Sequence, residues 1–176
     1  VSGSGFDRYP LWWVLGQNLL FVAFFALGTW AMAYIGPRGL PIPSILYGGF
    51  VFVMLCFVLR KELCTHCRYY GGLCGTGWGL WASWLFEKGS GNYERGLKAA
   101  SVFWVLALLL PIVSVIAALI WRPGLARGIH LLALLILGGA IFLVHRETCR
   151  RCQNASECPV SMSKGRIRPT RPPSNG

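Results

Sequence analysis

The sequence predicts an all-α integral membrane protein: four transmembrane helices formed by a duplicated two-helix unit, with cytoplasmic cysteine-metal motifs. Three observations predict it. The 176-residue chain is 55% hydrophobic and only 13% charged, about half the charge of an ordinary soluble domain. Four apolar runs come close to or exceed the roughly 20 residues that a bilayer-spanning helix needs. Two cysteine motifs recur at a fixed interval, each directly after the second run of a pair.

The elements follow in order. Val1–Gly5 reads as an appended or frayed end of an N-terminal segment, residues 1–10. The first span, Leu11 to Ile35, is too long for a removed signal peptide and lacks a basic start and a cleavage site. The breaker-rich "GPRGLPIP" then makes a hairpin turn into the second and shortest span, Ile42 to Leu59. A long connection, Arg60 to Gly96, completes a first repeat over residues 11–96. The third span, Leu97 to Trp121, contains Pro111, which predicts a kink. "RPG" turns the chain into the fourth span, Leu125 to Val144, and the second repeat ends at residue 158. Residues 159–176 form a basic, Pro-rich tail that reads as disordered, with affinity for anionic lipid. Within the connection, "WGLWASWLFEKG" places Trp78, Trp81, Trp84 and Leu85 on one face of a short helix at the membrane surface.

Charge sets the expected orientation. With four spans, the N-terminus, the long connection and the C-terminus share one side, which holds 14 basic residues against 3 on the other. The basic side faces the cytoplasm, so the net charge of +11 reports topology. No recognisable nucleic-acid-binding fold carries it, and nucleic acid is excluded as a partner. The lipid bilayer is the expected environment.

Six of the seven cysteines fall on that reducing side, where clustered cysteines read as metal ligands or redox groups rather than disulfides. Cys56 lies inside the second span and reads as a small hydrophobe. "RKELCTHC" (Arg60 to Cys67) aligns with "HRETCRRC" (His145 to Cys152) at a shift of 85 residues. Third cysteines follow in each, Cys74 and Cys158. Each unit holds an even number of spans, so both copies point the same way and their motifs approach each other. Cys64, Cys67, Cys149 and Cys152 are thus expected to converge as a tetrahedral thiolate site. Cys74 and Cys158 are further ligands or a redox pair. Glycines 71, 72, 75, 77 and 79 allow tight turns around the site. His66 and His145 are candidate ligands beside the cysteines, with interfacial roles as the plainer alternative. His130 and His145 lie 15 residues apart, about 22 Å on a helix, too far to grip one haem.

The stretch "CTHCRYYGGLCGTGWG" resembles a motif, CxHCxYYGxxCxxGxG, in small multi-helix membrane proteins of anaerobic bacteria and archaea. The resemblance covers Cys64 to Gly79 and implies a multi-helix membrane setting without a particular activity. The two Cys-x-x-Cys-x5–6-Cys halves also resemble, in spacing, the binuclear zinc-cysteine cluster of fungal transcription factors. Zinc is the expected cofactor, an iron–sulfur cluster the alternative.

Other chemistry is sparse. All six acids lie outside the spans, so no intramembrane carboxylate marks an ion path, and no catalytic residue is assigned. Gln17 and Asn18 are the main polar residues in the spans, suited to interhelical hydrogen bonds or a quinone head group. The expected function is a membrane protein whose zinc-type cysteine module serves assembly or binds a protein partner at the cytoplasmic face. An iron–sulfur electron-transfer subunit and a thiol-redox or soft-metal handling protein are the alternatives.

Overall fold

The computed structural model describes residues 6–36, 41–153, 155 and 162. Helix α1 (Leu11–Met32) is prolonged by a 3-10 turn, Ala33–Ile35. Helix α2 (Ile42–Val53) passes through a π turn, Met54–Val58, into α3 (Leu59–Glu62) and a 3-10 turn, Cys64–His66. The short α4 (Trp78–Leu85) precedes α5 (Tyr93–Trp121) and α6 (Leu125–Arg150). Four helical stretches are long and apolar enough to cross a membrane: Leu11–Ile35, Ile42–His66, Tyr93–Trp121 and Leu125–Arg150. The chain is a multi-pass integral membrane protein.

Three of these stretches outrun the apolar runs that announce them. The second reaches His66 because Arg60, Lys61 and Glu62 are good helix formers once a helix is under way. Helix α5 begins at Tyr93 because the Asn92 side chain accepts a hydrogen bond from the Arg95 N–H at 3.0 Å. Helix α6 continues to Arg150, and Glu147 bonds Arg150 and Arg151 at 2.9 and 2.7 Å across its last turn. Helix α5 also runs through Pro111, which is buried against the Gly28 backbone of α1.

Helix α1 is the hub, touching α2, α5 and α6. Between lipid-facing helices the hydrophobic drive is lost, and close packing with interhelical hydrogen bonds takes over. Both are present. Phe24, Phe103, Leu134 and Val115 fill the interior among small residues, Ala31, Ala107 and Ala118. Tyr47 of α2 donates to the Ala107 carbonyl of α5 at 2.7 Å, and its ring lies against Gly28. Ser114 of α5 donates to the Ala31 carbonyl of α1 at 2.6 Å. His130 of α6 donates from Nε2 to the Leu27 carbonyl at 3.1 Å, leaving Nδ1 to accept from the Tyr34 hydroxyl at 3.0 Å. That histidine is a structural tie. Outward, Leu19, Val22, Ile45, Leu46, Val102, Ile120 and Leu132 are exposed, as lipid-facing positions are.

Candidate functional site

One end of the bundle gathers the N-terminal segment, the loop from Cys67 to Gly77, and the close of α6. Phe6 forms an isolated parallel bridge with Cys152, its N–H bonding the Arg151 carbonyl at 2.9 Å. The Tyr9 N–H bonds the Leu73 carbonyl at 3.1 Å, and its hydroxyl donates to the Thr148 carbonyl at 2.8 Å. Tyr69 donates to the Phe6 carbonyl at 2.6 Å and accepts from the Gln153 N–H at 3.1 Å. These ties join the two cysteine motifs through the start of the chain. Tyr9 and Tyr69, both buried, pack edge to face, with ring centroids 5.9 Å apart.

Against this aromatic pair lie Cys67 and Cys74 of the first motif and Cys152 of the second. The thiol of Cys67 is pushed up to about 11, first by burial and further by the neighbouring Cys74, Cys64 and Cys152; a bond from the Tyr69 N–H offsets part of this. Burial likewise raises the Tyr9 hydroxyl, with Cys152, Tyr69, Cys149 and Cys74 adding to it. Thiols from both motifs therefore sense one another.

The first motif reaches this position through its glycines. Gly77 takes φ +73, in the left-handed region, to start α4. A Cβ on Gly75 would overlap the Thr148 side chain of α6, so glycine sets how closely the two motifs approach. Thr148 is itself a junction: its hydroxyl accepts from Trp13 Nε1 at 3.1 Å and stands 3.3 Å from Gln17 Oε1. Gln17 is buried, and its Nε2 has no hydrogen-bond partner among the described residues. Asn18 bonds the Thr76 carbonyl at 2.9 Å, which gives it a structural role.

The remaining candidates are distributed unevenly. Cys64 sits in the 3-10 turn and accepts from Arg60 Nη1 at 3.3 Å. Cys149 lies in the last turn of α6, its Sγ 3.7 Å from His145 Nε2. His66 instead donates from Nε2 to the Gly91 carbonyl at 2.8 Å and packs on Tyr93. Cys158 lies outside the described residues. Among the described residues, no three His, Cys, Asp or Glu side chains stand close enough together to hold one metal ion.

Two features had no distinct signal in the sequence. Arg60, one of several flanking cations by composition, is only 3% exposed, with its guanidinium 3.3 Å above the Trp78 ring. Trp78 accordingly leaves the surface face expected for it and stacks on Phe21 at 5.5 Å, whereas Trp81, Trp84 and Leu85 stay exposed. The tyrosine ties are the second, because their partners lie far along the chain.

No protein-family model matches the chain, and no curated protein or solved structure matches it significantly. The fold and site define its class by themselves: a multi-pass helical membrane protein with a half-buried group of thiols at one end of the bundle.

Proposed function

We propose that this protein binds a thiophilic divalent metal, zinc by preference, in its cysteine module, and that the metal fastens the two halves of the chain and shapes a partner-binding surface. The observation that carries this reading is the packing of Cys67, Cys74 and Cys152, from both motifs, against the same tyrosine pair. Burial makes the Cys67 thiol resist ionisation, and a bound cation would reverse that penalty. The donor set, sulfur with imidazole nearby, suits zinc or iron–sulfur chemistry rather than magnesium or calcium. A duplicated two-helix unit would account for the matching motifs, and the basic asymmetry supports a cytoplasmic module.

Metal analysis and a visible spectrum of anaerobically purified protein test the reading. The expected result is a colourless protein with stoichiometric zinc. Structural zinc contributes about 10–16 kcal/mol of apparent binding energy in small domains, so Cys149→Ser is expected to lower metal content and melting temperature together, while Cys56→Ala spares the metal. A brown protein that bleaches on reduction would replace this reading with iron–sulfur electron transfer. Metal-free protein with titratable thiols would replace it with thiol redox chemistry.

A further inference from the structure

The connection that carries Cys74 enters the bundle and comes out again. Between Arg68 and Glu87 no residue is charged. At the inner end of this stretch Asn18 Nδ2 donates to the Thr76 carbonyl at 2.9 Å, and Trp78 Nε1 donates to Asn18 Oδ1 at 3.3 Å. The Trp78 ring stacks on Phe21, against which Trp104 of α5 also packs at 5.6 Å. Asn18 lies seven residues after Leu11, and Trp104 seven after Leu97. Each therefore sits about 10 Å inside the start of its apolar run. The way out is marked as well. The Tyr70 hydroxyl donates to the Phe86 carbonyl at 2.7 Å, and the Gly89 N–H bonds the Thr65 carbonyl at 3.1 Å. Thr65 comes five residues after Arg60, whose guanidinium covers Trp78, which is about 8 Å further out at a helical rise. Helix α4 thus climbs obliquely from the level of Asn18 toward the level of Thr65.

From this we infer that residues 69–86 form a re-entrant membrane segment, and that the exposed face of α4, Trp81, Trp84 and Leu85, is a lipid-binding surface set against the acyl chains of the leaflet at this end. The inference stands apart from the metal reading. A bilayer has about 30 Å of hydrocarbon within about 40–45 Å overall, which leaves about 5–8 Å of headgroup layer on each side. A descent of about 10 Å passes that layer even if Leu11 lies at its outer edge. Irregular backbone at such a depth has to be hydrogen-bonded within the protein, and here it is. The Gly77 N–H bonds the Cys74 carbonyl at 2.9 Å, the Gly71 N–H bonds the Gly79 carbonyl at 3.0 Å, and the Leu73 and Thr76 carbonyls accept from Tyr9 and Asn18. A helix lying on the membrane surface carries a strongly charged face toward water; α4 has no charged residue. Its one hydroxyl, Ser83, donates to the Leu80 carbonyl of its own helix at 2.8 Å. What α4 turns outward is apolar apart from indole N–H groups, and tryptophan favours the boundary between acyl chains and headgroups.

The test uses the full chain in phosphatidylcholine vesicles, photolysed with one of two carbene sources: a phosphatidylcholine carrying a diazirine on its acyl chain, or a water-soluble diazirine. Adducts are mapped by mass spectrometry. Trp81, Trp84 and Leu85 are expected to take lipid adducts at yields comparable to those on Trp12 and Leu15, which are exposed at the same end of α1, and to show a loss of labelling with the aqueous source. Lys88 and Ser90, exposed beyond the exit, should show the reverse. Aqueous adducts on Trp81 and Trp84 at the level of Lys88 would leave α4 on the water side and overturn the inference. Protection of α4 from both sources would overturn it too, because a second copy of the chain would then cover the face. Zinc content of the same preparation is a separate readout, so failure of the re-entrant reading and failure of the metal reading are told apart.

Discussion

A single hydroxyl, that of Tyr69, ties three distant parts of the chain: the motif that carries it, Phe6 and Gln153. Burial pushes this phenol up to about 12, with Cys152 and Cys67 adding to the rise. The folded state thus keeps a proton that the unfolded chain releases near pH 10. The linked stability is fully present below about pH 10 and is lost as pH rises toward about 12. Thermal melting in detergent over that range is expected to show the fall. Tyr69→Phe should cost about 1–3 kcal/mol at neutral pH for the two lost hydrogen bonds and flatten part of the alkaline decline. An unchanged decline in Tyr69→Phe would assign it to another group. Nothing near Tyr69 in sequence signals this role, because its partners lie 63 and 84 residues away.

At the scale of elements, the bundle rests on a few close approaches. Ser114→Ala removes the bond to the Ala31 carbonyl and leaves a buried acceptor; interhelical hydrogen bonds in membranes average about 0.6 kcal/mol and reach about 1.7. Gly28→Val intrudes on the Tyr47 hydroxyl, already 3.0 Å from an ideal Cβ, and disturbs the α2–α5 bond as well as the α1–α2 spacing. Overpacking typically costs about 1–3 kcal/mol. The expected order of destabilisation is Gly28→Val above Ser114→Ala, measured by reversible unfolding in mixed micelles; the reverse order would deny the close approach its role. The spans themselves were legible, since apolar length and Gly-Pro punctuation are local properties. Their ends were not: Arg60 to Glu62, and His145 to Arg150, are polar by composition but helical because the preceding turn templates them. For the same reason the two cysteine motifs, alike in spacing, differ in backbone, with Cys64 in a 3-10 turn and Cys149 in an α-helix. Their matching spacing leads to the expectation that they meet; the tyrosine pair on which Cys67, Cys74 and Cys152 pack has no such signal, because aromatic residues in a Gly-rich loop carry no periodic signature.

For the whole molecule, the N-terminal segment and the end of α6 meet at one end of the bundle, and the 14-to-3 basic asymmetry predicts that this end is cytoplasmic. Reporters fused to each terminus should both be protease-accessible in sealed inside-out vesicles. Protection of both would invert the topology, and protection of one would contradict the four-span count.

The pairing of Phe6 with the stretch at Cys152 also puts a clock into the making of the protein. Ribosomes add about 5–20 residues per second, so on the order of five to twenty seconds separate the emergence of Cys67 from that of Cys152. For most of that interval, once Cys74 has emerged, the first three site thiols and the two tyrosines have left the ribosome without the end of α6 and Cys152 beside them. A nascent chain halted between the spans would present an open, unsheltered half-module to whatever electrophile or ion the cell supplies. Completion of the last helix is therefore the event that brings Thr148 and Cys152 against Tyr9 and Tyr69.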